Sequence, residues 1–346
     1  MLEDGVYFSL DEKKYHADPA LGSTDIRRLR TSPPDFWWNS KMNPARPADG
    51  DTPSRQWGRA FHKLVLEGYD AFKARYHRMP DQSEYPNALI TADDVKKRLV
   101  ALGLAVSGKK DELIARLIAA DPHALVWDVI VEKAATEAGD REQLKPAVWD
   151  EIVLSSQMIT KNPRLRKAFE GGTPELSVIW TRPDGVRCKA RFDYTLPRTT
   201  VDLKSFRSWR EKPIQQAIIY DQIAGHRYDI QAAHYMEGRK QAARLISEER
   251  VFGLADDKTR TCAAIVEMPE ASFTWVFYQA EGAPFARAIV MRPGIITHLS
   301  AVRDIEAAIE AYKFNLDLFG SDIWVDLSDP HVLDDSDMPV WLGVSN

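Results

Sequence analysis

The sequence predicts a mixed α/β protein in which helices flank a central sheet and one small helical unit is inserted. Three observations point there. First, ELSVIWTRPDGVRCKARFDYTL alternates apolar and polar residues about Pro183-Asp184-Gly185, a strong hairpin signal, and TTVDLKSF follows as a third strand. Second, apolar residues recur at helical spacing on both sides of these strands, from Trp57 onward and again over 212–246. Third, residues 91–120 read as two short amphipathic helices punctuated by Gly103 and Gly108.

In chain order, Ser23 or Thr24 is the expected N-cap of a first helix, Asp25 suits its first turn, and Ser32-Pro33-Pro34 ends it. Residues 41–56, rich in Pro and Asp, read as a loop. A helix then starts at Trp57, with Phe61, Leu64, Val65 and Tyr69 at helical spacing. Residues 142–170 look helical. After the three strands and the helices of 212–246, CAAIVEM and FTWVFYQAE read as strands. A long helix over about 293–318 precedes an acidic tail with Trp324 and Trp341. The expected divisions are 1–89, the insertion 90–121, a core 122–325, and the tail 326–346.

At 346 residues the chain is long enough for one large domain with additions, or for two. Its net charge of −5 argues against a protein that coats nucleic acid by bulk charge, though not against a local basic groove. Two cysteines, Cys188 and Cys262, are too few for a four-cysteine zinc or iron–sulfur site, and reduced thiols in a cytoplasmic protein are the expectation. The opening MLEDGVYFSLDEKK lacks the charge and apolar run of a signal peptide. No Gly-x-Ser-x-Gly motif and no phosphate-binding Gly-x-x-x-x-Gly-Lys-Ser/Thr loop is present.

The chemistry concentrates in RFDYTLPRTTVDLKS. Asp193 lies on the strand leaving the hairpin, while Asp202 and Lys204 alternate with Val201 and Leu203 on the next. A solvated Asp–Lys pair is the bland account of that strand. If the strands are neighbours, however, two carboxylates and an ammonium meet, and the carboxylates repel unless a cation sits between them. Hard oxygen ligands with open water positions suit Mg²⁺, with Mn²⁺ as a substitute.

This Asp…Asp-x-Lys spacing resembles the PD-(D/E)xK nucleases. The ordered series Gly58-x-x-x-His62, Glu175, Asp193, Asp202-x-Lys204, Gln231-x-x-x-Tyr235 is similar to their exodeoxyribonuclease VIII (RecE), YqaJ and lambda-exonuclease branch. The opening YHADPALGSTDIRRLRTSPPDFW also looks like that branch. The resemblance covers about residues 7–90 and 140–290. The inserted unit resembles a SAP motif, with Gly103-Leu104, Gly108-x-Lys110 and Leu113-x-x-Arg116-Leu117. SAP motifs commonly bind duplex DNA, which makes Lys109, Lys110 and Arg116 candidate contacts; a hairpin that only packs on its host is the plainer reading.

The resemblance implies a restriction-endonuclease-like core. It also implies that His62, Asp193, Asp202 and the Leu203 backbone carbonyl bind metal, and that Lys204 activates or positions water. Glu175 would support the metal or its water, and Gln231 and Tyr235 would hold the catalytic face or the DNA backbone. The plainer readings are His62 as a core residue between Phe61 and Leu64 and Glu67 as a surface acid. Gln231 and Tyr235 also suit simple helix–sheet packing, and a second Gln-x-x-x-Tyr at Gln216–Tyr220 reads as accidental. The implied activity is Mg²⁺-dependent 5′-to-3′ resection of linear double-stranded DNA in phage or prophage recombination or repair. A single-strand annealing protein would be its partner, and a ring-shaped homo-oligomer its assembly. A structure-specific or nicking endonuclease on the same core, or a catalytically silent DNA-binding module using the SAP-like unit, are the other readings.

Overall fold

The computed structural model describes residues 1–47, 50, 52–206, 216–279, 285–330, 332–334 and 337. Trp341, most of the acidic tail beyond residue 334 and the side chain of Gln216 lie outside the described residues. The helices are α1 (Glu12–Ala17), α2 (Ser23–Thr31), α3 (Pro33–Asn39), α4 (Pro53–Arg75), α5 (Ala92–Ala101), α6 (Lys110–Ala120) and α7 (Trp127–Ala138). They continue as α8 (Pro146–Thr160), α9 (Pro163–Arg166), α10 (Gln216–Gly225), α11 (Tyr228–Ser247), α12 (Thr259–Glu267) and α13 (Ile296–Phe319). The strands are β1 (Gly5–Tyr7), β2 (Tyr76–Arg78), β3 (Glu142–Leu144), β4 (Thr173–Thr181), β5 (Arg187–Thr195), β6 (Thr199–Phe206), β7 (Val251–Phe252), β8 (Ser272–Gln279) and β9 (Ala286–Met291).

Seven strands form one sheet in the order β7-β1-β4-β5-β6-β8-β9. The β1–β7 and β6–β8 pairs are parallel and the others antiparallel, so the sheet is mixed. Each face buries its own core. Val178, Trp180, Ala190 and Phe192 pack with Ala233 of α11, Ile26 of α2 and Ile305 of α13. On the other face, Val201, Leu203, Val276 and Tyr278 pack with Phe61 and Phe72 of α4 and Trp149 of α8. Helices thus cover both faces, as a sheet with parallel pairs requires. No helix is long and apolar enough to cross a membrane among the described residues.

The Pro183-Asp184-Gly185 turn forms as expected: Arg182 N donates to Val186 O at 2.9 Å, and Gly185 takes a φ of +84°. The α5–α6 pair encloses a small core of Val95, Leu99, Leu113 and Leu117, with Gly103 at φ +71° and Gly108 at φ +125° making the turn between them.

Several expectations are corrected. CAAIVEM belongs to helix α12, not a strand: Cys262 and Ile265 are the buried pair, three apart, and period three outweighs the short apolar run. The cap of α2 is Gly22, whose N–H donates to Asp25 Oδ2 at 2.9 Å, rather than Ser23 or Thr24. Helix α4 begins four residues earlier than Trp57, at Pro53, capped by the Thr52 side chain. Ser32 both ends α2 and caps α3, so the Pro-Pro pair starts a helix as well as stopping one. Residues 142–170 open with strand β3 before turning helical.

Candidate active site

Strands β5 and β6 pair at only two positions, Tyr194↔Val201 and Thr195↔Thr200. Where their ladder stops, the Asp193 side chain takes over, its Oδ2 accepting from Leu203 N at 2.8 Å. The chain is irregular here on both sides. Phe192 joins one core and Tyr194 the other, although residues two apart on a regular strand share a face. Across from Asp193, the β4–β5 register places Glu175, at φ +54° and missing from the ladder. A non-glycine residue in that region is strained, and such strain collects at functional sites.

Asp202 is 1% exposed and points from β6 toward α11. Lys204 Nζ lies 2.9 Å from its Oδ1 and 2.7 Å from its Oδ2, and Gln231 Nε2 donates to Oδ1 at 2.8 Å. Tyr235, one helical turn beyond Gln231, hydrogen-bonds that amide and packs its ring 5.5 Å from Phe192 and 5.9 Å from Phe273. Tyr228 places its ring 5.2 Å from Lys204 Nζ, a cation–π contact. His62, on α4, comes from the opposite face, with Nδ1 3.6 Å from Asp193 Oδ2 and a hydrogen bond to the Leu203 backbone.

The electrostatics follow from burial, with Lys204 the cation closest to the two aspartates. Burial pushes the Asp202 carboxyl up to about 6, against the pull of Lys204. Burial also raises Asp193, offset by Lys204 and by the Leu203 N–H. Burial lowers the His62 imidazole to about 4, with Lys204 adding to the shift, so it is neutral at pH 7 and available as a ligand. For Lys204, burial works to lower the value, but Asp202 and Asp193 outweigh it and hold the ammonium charged. Glu175 is pushed up to about 8 by burial and by Asp193 opposite, while Arg191, 3.7 Å away, pulls it down. Burial and Asp202 push the Tyr235 hydroxyl up to about 12, so it remains a neutral hydrogen-bonding group.

Two carboxylates and the Leu203 carbonyl are oxygen donors of the type a hard divalent cation takes, and the neutral His62 imidazole adds a borderline nitrogen donor. Asp202 Oδ2 is buried without a well-aligned hydrogen bond, held only by the charge of Lys204. The donors therefore fit such an ion in kind. Their side chains do not stand as a closed cage: among the described residues no three His, Cys, Asp or Glu side chains group closely enough to hold a metal. Lys204 and Gln231 engage Asp202, and Leu203 N engages Asp193, so a metal would compete with these contacts.

A cleft of about 600 Å³ opens beside this network and contains His62, Glu67 and Glu175 in its wall. Five cations, Arg59, Lys63, Arg75, Arg191 and Lys258, line it against three acids, Glu12, Glu67 and Glu175. Glu67 is paired with Lys63 at 2.5 Å. These cations were not legible as a group, although Arg191 shares strand parity with Asp193 and Arg59, Lys63 and Glu67 recur every four residues on α4. The DNA-contact candidates of the α5–α6 unit lie elsewhere. Lys110 pairs with Asp128 at 2.6 Å, Arg116 donates to Ala105 O and Ser107 O at 2.6 and 3.1 Å, and Lys109 is exposed at the start of α6.

Residues 126–258 match the family model of a PDDEXK-like domain of unknown function, and residues 89–122 match that of the SAP domain. The first match contains Glu175, Asp193, Asp202, Lys204, Gln231 and Tyr235; His62 lies outside it. A solved structure described as a "putative exonuclease" from Eubacterium rectale aligns over 74% of this chain and 92% of its own, with 14% identity and a TM-score of 0.35, a likeness too low to bear on fold or activity. The chain matches no curated protein.

Proposed function

We propose that the chain is a metal-dependent deoxyribonuclease that degrades one strand of linear double-stranded DNA from its 5′ end, by phosphodiester hydrolysis, in phage or prophage recombination. The observation that carries the reading is the buried Asp202–Lys204–Gln231 network beside Asp193, set where two strands part, with His62 and Glu175 linking it to a cation-lined cleft. The match of this region to a PDDEXK-like domain supports it.

In this reading Asp193, Asp202, His62 and the Leu203 carbonyl would hold Mg²⁺, with Mn²⁺ able to substitute. When bound, the ion supplies charge for the phosphodiester and its leaving oxygen and makes a coordinated water more acidic. Lys204 keeps its positive charge and orients the attacking water. Gln231 fixes Asp202 in one rotamer, and Tyr235 fixes Gln231. Glu175, at about 8, is poised to carry or release a proton beside the site. The cations of the cleft bind the phosphate backbone. The SAP unit adds a second grip on duplex DNA, and a single-strand annealing protein and a ring of identical subunits complete the assembly.

The test compares wild type and Lys204→Ala on linear and covalently closed duplex DNA, each with Mg²⁺ and with EDTA. The expected result is shortening of the linear substrate alone, by wild type with Mg²⁺ alone. Cutting of the closed circle would replace the exonuclease with an endonuclease on the same site. DNA binding by wild type without any cleavage would leave a binding module.

A further inference from the structure

A second and larger cleft, of about 1240 Å³, meets the basic one at Gly58, which lines both. It begins one residue beyond Lys204, with Ser205 and Phe206 in its wall. The two clefts differ in chemistry. The first is dominated by Arg and Lys; in the second the only charged groups among the described lining residues are Lys145, Glu151 and Asp221. Among the described residues, one cation against two acids suits a phosphate chain less well than the five cations of the first cleft. The wall of the larger cleft instead offers a partly exposed indole, Trp57, together with the amides of Gln56 and Gln222.

Trp57 is held rigid from behind. Its ring stacks on Phe61 at 4.9 Å and an interplanar angle of 13°, and lies 5.9 Å from Tyr278. Those two rings are 0% and 1% exposed and 4.2 Å apart, so Trp57 is the outer layer of an aromatic stack anchored in the core. At Gly58, where the clefts meet, an added Cβ would meet no atom beyond its chain neighbours and its own helix backbone within 4 Å. A strand whose phosphates lie among the cations of the first cleft would pass Gly58 to reach the indole wall of the second.

We infer that the larger cleft is a base-binding subsite for the unpaired end of a DNA strand, with Trp57 as its stacking platform. The inference rests on the nuclease reading above and adds to it the division of one strand between two clefts, phosphates in one and bases in the other. Aromatic stacking tolerates every base, which suits a nuclease that acts without regard to sequence. The Gln56 and Gln222 amides add hydrogen bonds to base edges without imposing charge.

The experiment measures binding of the full chain, in EDTA, to two fluorescent single-stranded probes of equal length: an oligothymidylate and its abasic counterpart. Wild type is expected to favour the base-bearing probe, and Trp57→Ala to lose roughly tenfold in affinity for it while leaving the abasic probe unchanged. Trp57→Tyr should restore most of the loss, which a purely structural role would not do. Should Trp57→Ala fail to fold, Gly58→Leu serves instead. Its side chain enters open space in a helix, where any such residue is better tolerated than Gly, and it is expected to lower affinity for the base-bearing probe by blocking the junction. Equal affinity of wild type for both probes, or equal losses on both in the Trp57 variants, would overturn the inference. Degradation of linear duplex by the same wild-type preparation reports on the nuclease reading separately: cleavage without base preference removes only the subsite, while no cleavage and no binding removes both.

Discussion

Arg239 anchors the hairpin that carries the two aspartates, and its replacement is the most informative perturbation away from the site itself. The residue is 1% exposed on α11 and donates to three backbone carbonyls: Leu196 at 2.9 Å, Pro197 at 2.7 Å and Met268 at 3.1 Å. Leu196 and Pro197 form the link between β5 and β6, so one guanidinium fixes the apex between Asp193 and Asp202. Burial holds Arg239 down at about 10, which at 1.4 kcal/mol per unit sets a cost of roughly 3 kcal/mol against the charged form. Three bonds from a charged donor, at about 1.5–3 kcal/mol each, exceed that cost by a few kcal/mol. Arg239→Met keeps the length and apolar stem of the side chain but removes the donor to three part-buried backbone carbonyls. We expect a loss of about 3 kcal/mol, read as a lower urea midpoint at unchanged slope, and slower hydrolysis at saturating Mg²⁺ because the hairpin apex is released. A loss below about 1 kcal/mol would refute the reasoning, since it would mean that water or backbone adjustment satisfies those carbonyls without the arginine.

Further outcomes follow from the charges. Burial, and Asp193 opposite, push the native Glu175 up to about 8, above its ordinary 4.5. Protons are then bound more tightly by the native state, and stability is full below about pH 4.5 and declines as pH rises through 8. The shift alone would correspond to about 5 kcal/mol, but the side chain is 37% exposed and solvent screening reduces this to about 1–2 kcal/mol. Glu175→Gln should flatten that slope in denaturation curves recorded from pH 5 to 9, and an unchanged slope would place the titration elsewhere. In the SAP unit, Arg116→Ala should lower the thermal midpoint, because Arg116 holds the loop carbonyls of Ala105 and Ser107. Lys109→Ala, at an exposed helix start, should leave the midpoint alone but weaken duplex binding and reduce its salt slope by about 1. The reverse assignment of effects would show that Arg116 is the DNA contact.

Much of the sheet was legible because its signals are local. The Pro-Asp-Gly turn and the period-two runs around it define β4, β5 and β6, and the alternation of Val201, Asp202, Leu203 and Lys204 places the charges on one face of β6. The four-residue spacing of Gln231 and Tyr235 likewise foretold a shared helix face, and Gln231 meets Asp202. What was not legible depends on tertiary pairing. The β1 and β7 strands are three and two residues long and exist only through their neighbours. The face switch at Asp193 leaves no mark in residue type, and neither does the left-handed backbone of Glu175. Arg239 looks like one more polar residue on an amphipathic helix until the β5–β6 link is folded over it. The basic cleft draws its cations from α4, from β5 and from the turn before α12, so no window of sequence contains it.

The central claim is that Asp193 and Asp202 form one divalent-metal site with Lys204 beside it. Calorimetric titration of Mn²⁺ into wild type and into the Asp193→Asn/Asp202→Asn double variant tests this most directly, without relying on turnover. The account predicts saturable binding to wild type that disappears in the double variant, accompanied by a rise in thermal midpoint only where the ion binds. Equal binding to both proteins, or none to wild type, would contradict it.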